Sequence, residues 1–259
     1  MRDIPLWRRL LAELLGTGAL VCLVVGSGIM AASLSPDDVG LQLLENSMAT
    51  GFGLCVLIVL LGPVSGAHLN PVVTLGMVLW EGLRLRAAGA YVVAQLVGGV
   101  GGCIVANVMF DLPAVSASTT ERTGAPLLLA EVVATVGLLT VILGLLWQDR
   151  AAWIPPMVGA YIAAAYWFTS STSFANPAVT VGRAFTDTFA GIAPASVPAY
   201  VAAQLVGGGL ALVLAGVVFT GAVRAAARAE SETLPPGPGP GPGPSPAAGA
   251  TPGPVLDRT

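Results

Sequence analysis

Two asparagine–proline pairs hold the chemistry open to this sequence. They stand in Asn70-Pro-Val-Val-Thr-Leu-Gly76 and Asn176-Pro-Ala-Val-Thr-Val-Gly182, each with a glycine six residues after the asparagine. Asparagine is a favoured N-cap, and proline suits the first helical position, where its missing N–H would be unpaired anyway. Each pair therefore predicts a helix start, and such a terminus carries about half a positive charge. The asparagine amide also donates hydrogen bonds to a passing oxygen. Together these groups compensate a neutral hydroxylic solute for lost water and oppose a cation, with no covalent bond made or broken. Bond-making chemistry lacks its residues: His68 is the sole histidine, and Cys22, Cys55 and Cys103 are scattered through apolar runs. Neither set has the spacing of a metal site, a disulfide framework or a catalytic constellation. The expectation is a protein that is not an enzyme and uses no cofactor and no metal.

The elements that must position these pairs lie in a membrane. Of 259 residues, 55% are hydrophobic and 10% charged, and mean hydropathy is +0.82. A net charge of −3 with no basic cluster excludes nucleic acid as a partner. A bilayer core about 30 Å thick needs roughly 20 apolar residues per helix. Six stretches meet that length: Leu10 to Ala32, Leu41 to Leu61, Ala88 to Phe110, Pro126 to Trp147, Trp153 to Thr169 and Pro198 to Val223. Two segments, Leu69 to Trp80 and Ala175 to Phe185, are apolar but too short to cross, and each contains an Asn-Pro pair near its start. Residues 230–259 are rich in proline and glycine and have little to bury, so a disordered tail is expected after a channel domain spanning 1–228. Arg2, Arg8, Arg9, Arg84, Arg86, Arg150, Arg224 and Arg228 all fall on one side of six spans, and Arg122 and Arg183 on the other. Positive residues favour the cytoplasmic side, which predicts cytoplasmic termini in a multi-pass protein of the cell membrane.

An internal repeat fixes how the short segments enter. Ala90-Tyr-Val-Val-Ala-Gln-Leu-Val-Gly-Gly99 returns as Ala199-Tyr-Val-Ala-Ala-Gln-Leu-Val-Gly-Gly208, nine of ten residues identical. Leu11-Ala-Glu13 returns as Leu129-Ala-Glu131, so one repeat covers about 8–110 and the other about 126–224. Each half holds three spans, an odd number, and the second half must enter from the opposite face. The two Asn-Pro segments then dip in from opposite sides and meet near the midplane. Broken helices at that depth are tolerated only where their backbone is buried in protein or lines a wet cavity. Gly98, Gly99 and Gly102, echoed by Gly207 to Gly209, are read as allowing close helix crossings. Glu13 and Glu131 sit inside spans, where an ionisable group is expensive; they suit either a proton relay or a structural role.

These motifs resemble those of the major intrinsic protein superfamily. Ser65-Gly-Ala-His68-Leu-Asn70-Pro71-Val72 is similar to its first signature and Phe174-Ala-Asn176-Pro177-Ala178 to its second, within a resemblance covering about residues 8–224. The resemblance implies an all-α hourglass fold of six transmembrane helices and two re-entrant half-helices, assembled as a homotetramer with one pore per subunit. It also implies that Glu13 and Glu131 hydrogen-bond the re-entrant loops and that His68 belongs to the pore-lining scaffold. Relatives mostly carry a filter arginine immediately after the second Asn-Pro-Ala, where this chain has Val179. The resemblance implies the other filter positions, which spacing from the signatures puts at Thr50, Ala164 and Ser173, with Tyr166 as the alternative to Ala164. That set predicts a wide, weakly polar opening. It is similar to bacterial aquaglyceroporins associated with arsenic resistance, which implies passive conduction of arsenous acid and related neutral metalloid acids, with glycerol and water as further solutes. A general glycerol or water facilitator and a proton-coupled transporter are the alternatives. Arg183 follows Val179 by four residues and shares its helix face; it either returns charge to the outer vestibule or snorkels to water.

Overall fold

The computed structural model describes residues 4–233, with side chains to Phe219. The chain divides into two units, Met1–Thr220 and Gly221–Thr259, and apart from the end of α8 every feature below belongs to the first. The expected tail lies outside the described residues from 234 onward. Eight α-helices are described: α1 (Leu6–Leu34), α2 (Val39–Ser65), α3 (Pro71–Trp80), α4 (Leu85–Met109), α5 (Ala125–Trp147), α6 (Ile154–Phe168), α7 (Pro177–Gly182) and α8 (Val197–Thr233). No strand occurs among the described residues.

Five helical stretches are individually long and apolar enough to cross a bilayer: α1, α2, α4, α5 and Pro194–Phe219, in which a 3-10 turn, Pro194–Ser196, leads into α8. The stretch expected at Trp153 to Thr169 is shorter, because α6 has only 15 α-helical residues. A 3-10 turn, Ala151–Trp153, precedes it. With the rises of the two helix types, turn and helix together advance about 28 Å, close to the thickness of a hydrocarbon core. Proline at the start of α6 suits the junction, since it needs no N–H there. The half-helices differ as well: α3 has ten residues, whereas α7 has six and continues as a 3-10 turn, Arg183–Phe185.

Alternating passes define two faces, a near one where α1 begins and a far one. The α2–α3 connection enters from the near face and the α6–α7 connection from the far face. Glycines let the helices behind them approach backbone to backbone. A Cβ on Gly98 would lie 2.1 Å from the Leu14 carbonyl oxygen, and one on Gly102 would lie 1.9 Å from that of Gly18, so α4 crosses α1 at contact distance. The second repeat copies this with Gly207 against the Val132 oxygen at 2.7 Å. Gly99 backs onto the Ala178 oxygen of α7 at 2.7 Å and Gly208 onto Val72 of α3 at 2.5 Å, which seats both half-helices. Gly209 departs from the expectation: nothing lies within 4 Å of its added Cβ, and it takes no part in a crossing.

Gly102→Ala should therefore cost about 2–4 kcal/mol or prevent folding, since the clash is with backbone that cannot rotate away. Gly101→Ala on the same helix, with nothing within 4 Å, should melt within a few degrees of the parent. Equal melting temperatures for the two purified variants would refute this account of the crossing.

Candidate functional site

The re-entrant loops are built from left-handed backbone at residues that are not glycine. Ala67 and Leu69 have φ of 47° and 50°, matched in the second repeat by Ser173 and Ala175 at 51° and 47°. Such angles are uncommon for L residues and cost about 1–3 kcal/mol each, so something must compensate. The compensation comes from two buried carboxylates. Glu13 Oε1 accepts from Ser65 Oγ (2.6 Å) and the His68 amide (3.0 Å), and its Oε2 accepts from the Leu69 amide (2.7 Å) and Gln95 Nε2 (2.8 Å). Glu131 repeats the pattern with Ser171 Oγ (2.6 Å), the Phe174 and Ala175 amides (both 2.9 Å) and Gln204 Nε2 (2.6 Å). A trans peptide directs its carbonyl opposite its N–H. The carbonyls of Ala67, His68, Ser173 and Phe174 thus turn away from the glutamates, toward the cavity these residues line.

The two asparagines then close the centre. Asn70 Oδ1 caps α3 by accepting from the Val72 amide at 2.8 Å, and Asn176 Oδ1 caps α7 from the Ala178 and Val179 amides at 3.0 and 3.3 Å. Pro71 and Pro177 occupy the first helical positions. Asn70 Nδ2 donates to the Ala175 carbonyl at 2.8 Å, and Asn176 Nδ2 donates to the Leu69 carbonyl at 2.7 Å. Each half-helix tip is therefore tied to the loop of the other. An amide nitrogen carries two hydrogens, and one remains on each asparagine beside the cavity. Thr74 and Thr180 donate back to the Asn70 and Asn176 carbonyls and accept from Gln95 and Gln204, linking the tips to the glutamate networks. Sequence reasoning passed over these glutamines and threonines, although both lie inside repeated segments.

A cavity of about 530 Å³ runs past this centre, with Glu81, Ala151 and Ala152 toward the near face and Val179 and Arg183 toward the far face. Leu20, Val24, Leu54, Leu138, Ile142 and Ile162 make much of its wall apolar, while His68, Asn70 and Asn176 supply polar atoms. His68 Nδ1 lies 3.2 Å from Thr74 Oγ1, and its ring tilts on Tyr91. Of the expected filter set, Thr50, Ser173 and Val179 line the cavity. Ala164 does not: it is exposed on the outside of α6, and Tyr166 lines the cavity instead, its hydroxyl 3.2 Å from Thr50 Oγ1. Two positions are about 200° apart on a helix, so only one of the pair can face inward.

The opening on the far side is consequently bulkier and more charged than Thr50, Ala164, Ser173 and Val179 suggest. Phe174 and Arg183 line it beside Tyr166. Arg183 is 3% exposed, which rules out a side chain snorkelling to bulk water. Its Nε donates to the Ala190 carbonyl, and its guanidinium carbon sits 3.5 Å above the Phe174 ring centre. Arg122 approaches the same ring at 5.1 Å, with Nε donating to the Gly191 carbonyl at 2.9 Å. The α4–α5 connection holds this region down: the Ser116 and Ser118 amides donate to the carbonyls of Phe185 and Ala184, and the Ala193 amide donates to that of Thr120. On the exposed rim Asp187 accepts from the Thr119 amide (2.8 Å) and hydroxyl (3.0 Å), bonds that hold its carboxyl below the usual range.

Comparison with known proteins agrees with this arrangement. The profile of the family described as Major intrinsic protein matches residues 1–171. The chain is 51% identical over 214 residues to aquaglyceroporin AqpS of Rhizobium meliloti (strain 1021), covering 83% of this chain and 91% of that one. It is 30% identical over 174 residues to aquaporin AqpM of Methanothermobacter marburgensis, covering 57% of this chain and 69% of the relative. Its fold is similar to the X-ray structure of the aquaglyceroporin from Plasmodium falciparum, with a TM-score of 0.67 and 22% identity over 85% of this chain and 100% of the other. With its paired re-entrant helices and a relative at 51% identity along most of its length, this integral membrane chain belongs to the major intrinsic protein family.

Proposed function

We propose that the protein is a passive channel of the cell membrane for small uncharged solutes, carrying arsenous acid and related metalloid acids together with glycerol and water. The observation that carries this reading is the pair of asparagines, each with one N–H committed to the opposite loop and one left beside a cavity that is apolar on much of its wall. A small polyol or oxyacid can place hydroxyls on the donors and carbonyls and its less polar part against the leucines and isoleucines. Arsenous acid is neutral near physiological pH and carries three hydroxyls, so it fits those partners as glycerol does. Val179 in place of a guanidinium leaves that level of the route to a small apolar side chain. Both termini are taken to be cytoplasmic, which makes the far mouth the outer one, and the assembly to be a homotetramer.

Two other readings use the same cavity. A general glycerol and water facilitator is favoured by the relative at 51% identity, an aquaglyceroporin. A proton-coupled transporter would use Glu13 or Glu131, but each carboxylate already accepts four hydrogen bonds from donors that hold loops in place. A buried acceptor with that many donors is a fastening point rather than a relay.

Stopped-flow measurement on proteoliposomes should show water, glycerol and arsenous acid fluxes above empty vesicles, and no arsenous acid flux would reject that substrate. Val179→Arg should reduce glycerol and arsenous acid before water, whereas unchanged large-solute flux would place the constriction elsewhere. Glu131→Gln should lower stability by about 2–4 kcal/mol, because an amide turned on N–H donors leaves them unpaired. Flux through this variant, where it folds, should stay downhill and indifferent to a proton gradient. Uphill, gradient-driven accumulation by the parent that disappears in Glu131→Gln would establish the coupled transporter instead.

A further inference from the structure

We infer that Arg183 is the charge-selecting residue of the outer mouth, a fixed cation placed one helical turn outside the position at which Val179 leaves none. This inference rests on the channel reading and adds to it which residue rejects cations. Val179 and Arg183 lie four residues apart, and the amide of Arg183 bonds to the Val179 carbonyl, so one turn separates them on one face. Both line the cavity. The guanidinium is not free to leave: Nε is fixed on the Ala190 carbonyl, and the ring of Phe174 lies under it at 3.5 Å. Among the described residues only Nε has a protein hydrogen-bond acceptor, and the two terminal nitrogens are left without one. Those nitrogens are the donors that a permeating hydroxyl or water can meet.

Among the described residues no carboxylate is hydrogen-bonded to the guanidinium. Glu131 acts on Arg183 only across space: its oxygens accept from Ser171, the Phe174 and Ala175 amides and Gln204, and none of those bonds goes to the guanidinium. Arg122 adds a second cation near the same aromatic ring rather than a counterion. Aromatic contact holds a guanidinium without neutralising it, since the ring offers a quadrupole and no net charge. The Phe174 amide is itself tied to Glu131, so ring, loop and cation are positioned together. A cation entering from the outside meets this charge before it reaches Asn176, while a neutral solute meets hydrogen-bond donors.

The test uses the full-length protein in liposomes, with glycerol flux and monovalent-cation conductance read on the same preparations. Arg183→Gln keeps a donor and removes the charge; it should raise cation conductance, read relative to glycerol flux on the same preparation, about tenfold, the effect of roughly one fixed charge at close range. Arg183→Lys restores the charge and should return the conductance toward that of the parent. Should the glutamine variant fail to fold, Phe174→Leu, which removes the support under the guanidinium, carries the same expectation of raised cation conductance. Conductance equal to the parent in whichever of these two reconstitutes would overturn the assignment. A parent that conducts no glycerol and no arsenous acid would instead defeat the channel reading itself.

Discussion

At the centre of a bilayer no water is available to satisfy a broken helix, and that constraint sets the form of this protein. The chain breaks two helices there and must find a partner for every amide and carbonyl it frees. Its solution is reciprocal. Each asparagine caps its own half-helix through oxygen and donates through nitrogen to the carbonyl that precedes the other asparagine. Neither tip is complete without the opposite loop, so the inverted repeat is a structural requirement as well as an evolutionary record. The glutamates extend the same logic outward, collecting amides that left-handed residues turn away from the cavity. What the glutamates do not collect, the carbonyls, is turned into the route.

This division of labour explains which parts were legible from the amino-acid sequence. The Asn-Pro pairs have one dominant local meaning, a capped helix start, and two of them in an inverted repeat leave few alternatives. Glu13 and Glu131 stood out because a charge in an apolar span is costly. Gln95 and Gln204 had the same visibility in principle, since they sit in the ten-residue segment that repeats almost unchanged, but an uncharged amide raises no alarm in a hydropathy reading. The left-handed alanines and leucine were invisible, because only tertiary hydrogen bonds make such backbone affordable there. Ala164 failed for a geometric reason. Its position was counted back from Asn176 across a connection of irregular backbone, and a two-residue error on a helix turns an inward position into an outward one.

The fifth crossing shows the same limit. Hydropathy registers the apolar residues from Trp153 onward but not that Ala151–Trp153 form a 3-10 turn leading into them, which gains more height per residue than an α-helix and lets fifteen α-helical residues suffice. Length in residues and length in ångströms diverge at such places, and the bilayer responds to the second.

Val179 looks at first like the loss of the feature that sorts solutes by charge. The surrounding structure argues that position and function are separable. A filter cation needs a fixed guanidinium, donors facing the route and no counterion, and a helix offers the same face again one turn later. What a displaced cation lacks is the anchoring that the inner position would have had, and here an aromatic ring and a loop carbonyl supply it. Moving the charge outward also changes what lies at the level of Val179. Val179, Tyr166 and Thr50 line the cavity with one apolar surface and two hydroxyls, a lining that on the proposed reading suits a solute with both hydroxyl groups and a less polar side. On the proposed reading, the chain separates two demands that a single arginine would combine: rejection of cations at the entrance, and accommodation of a small amphipathic solute one turn further in.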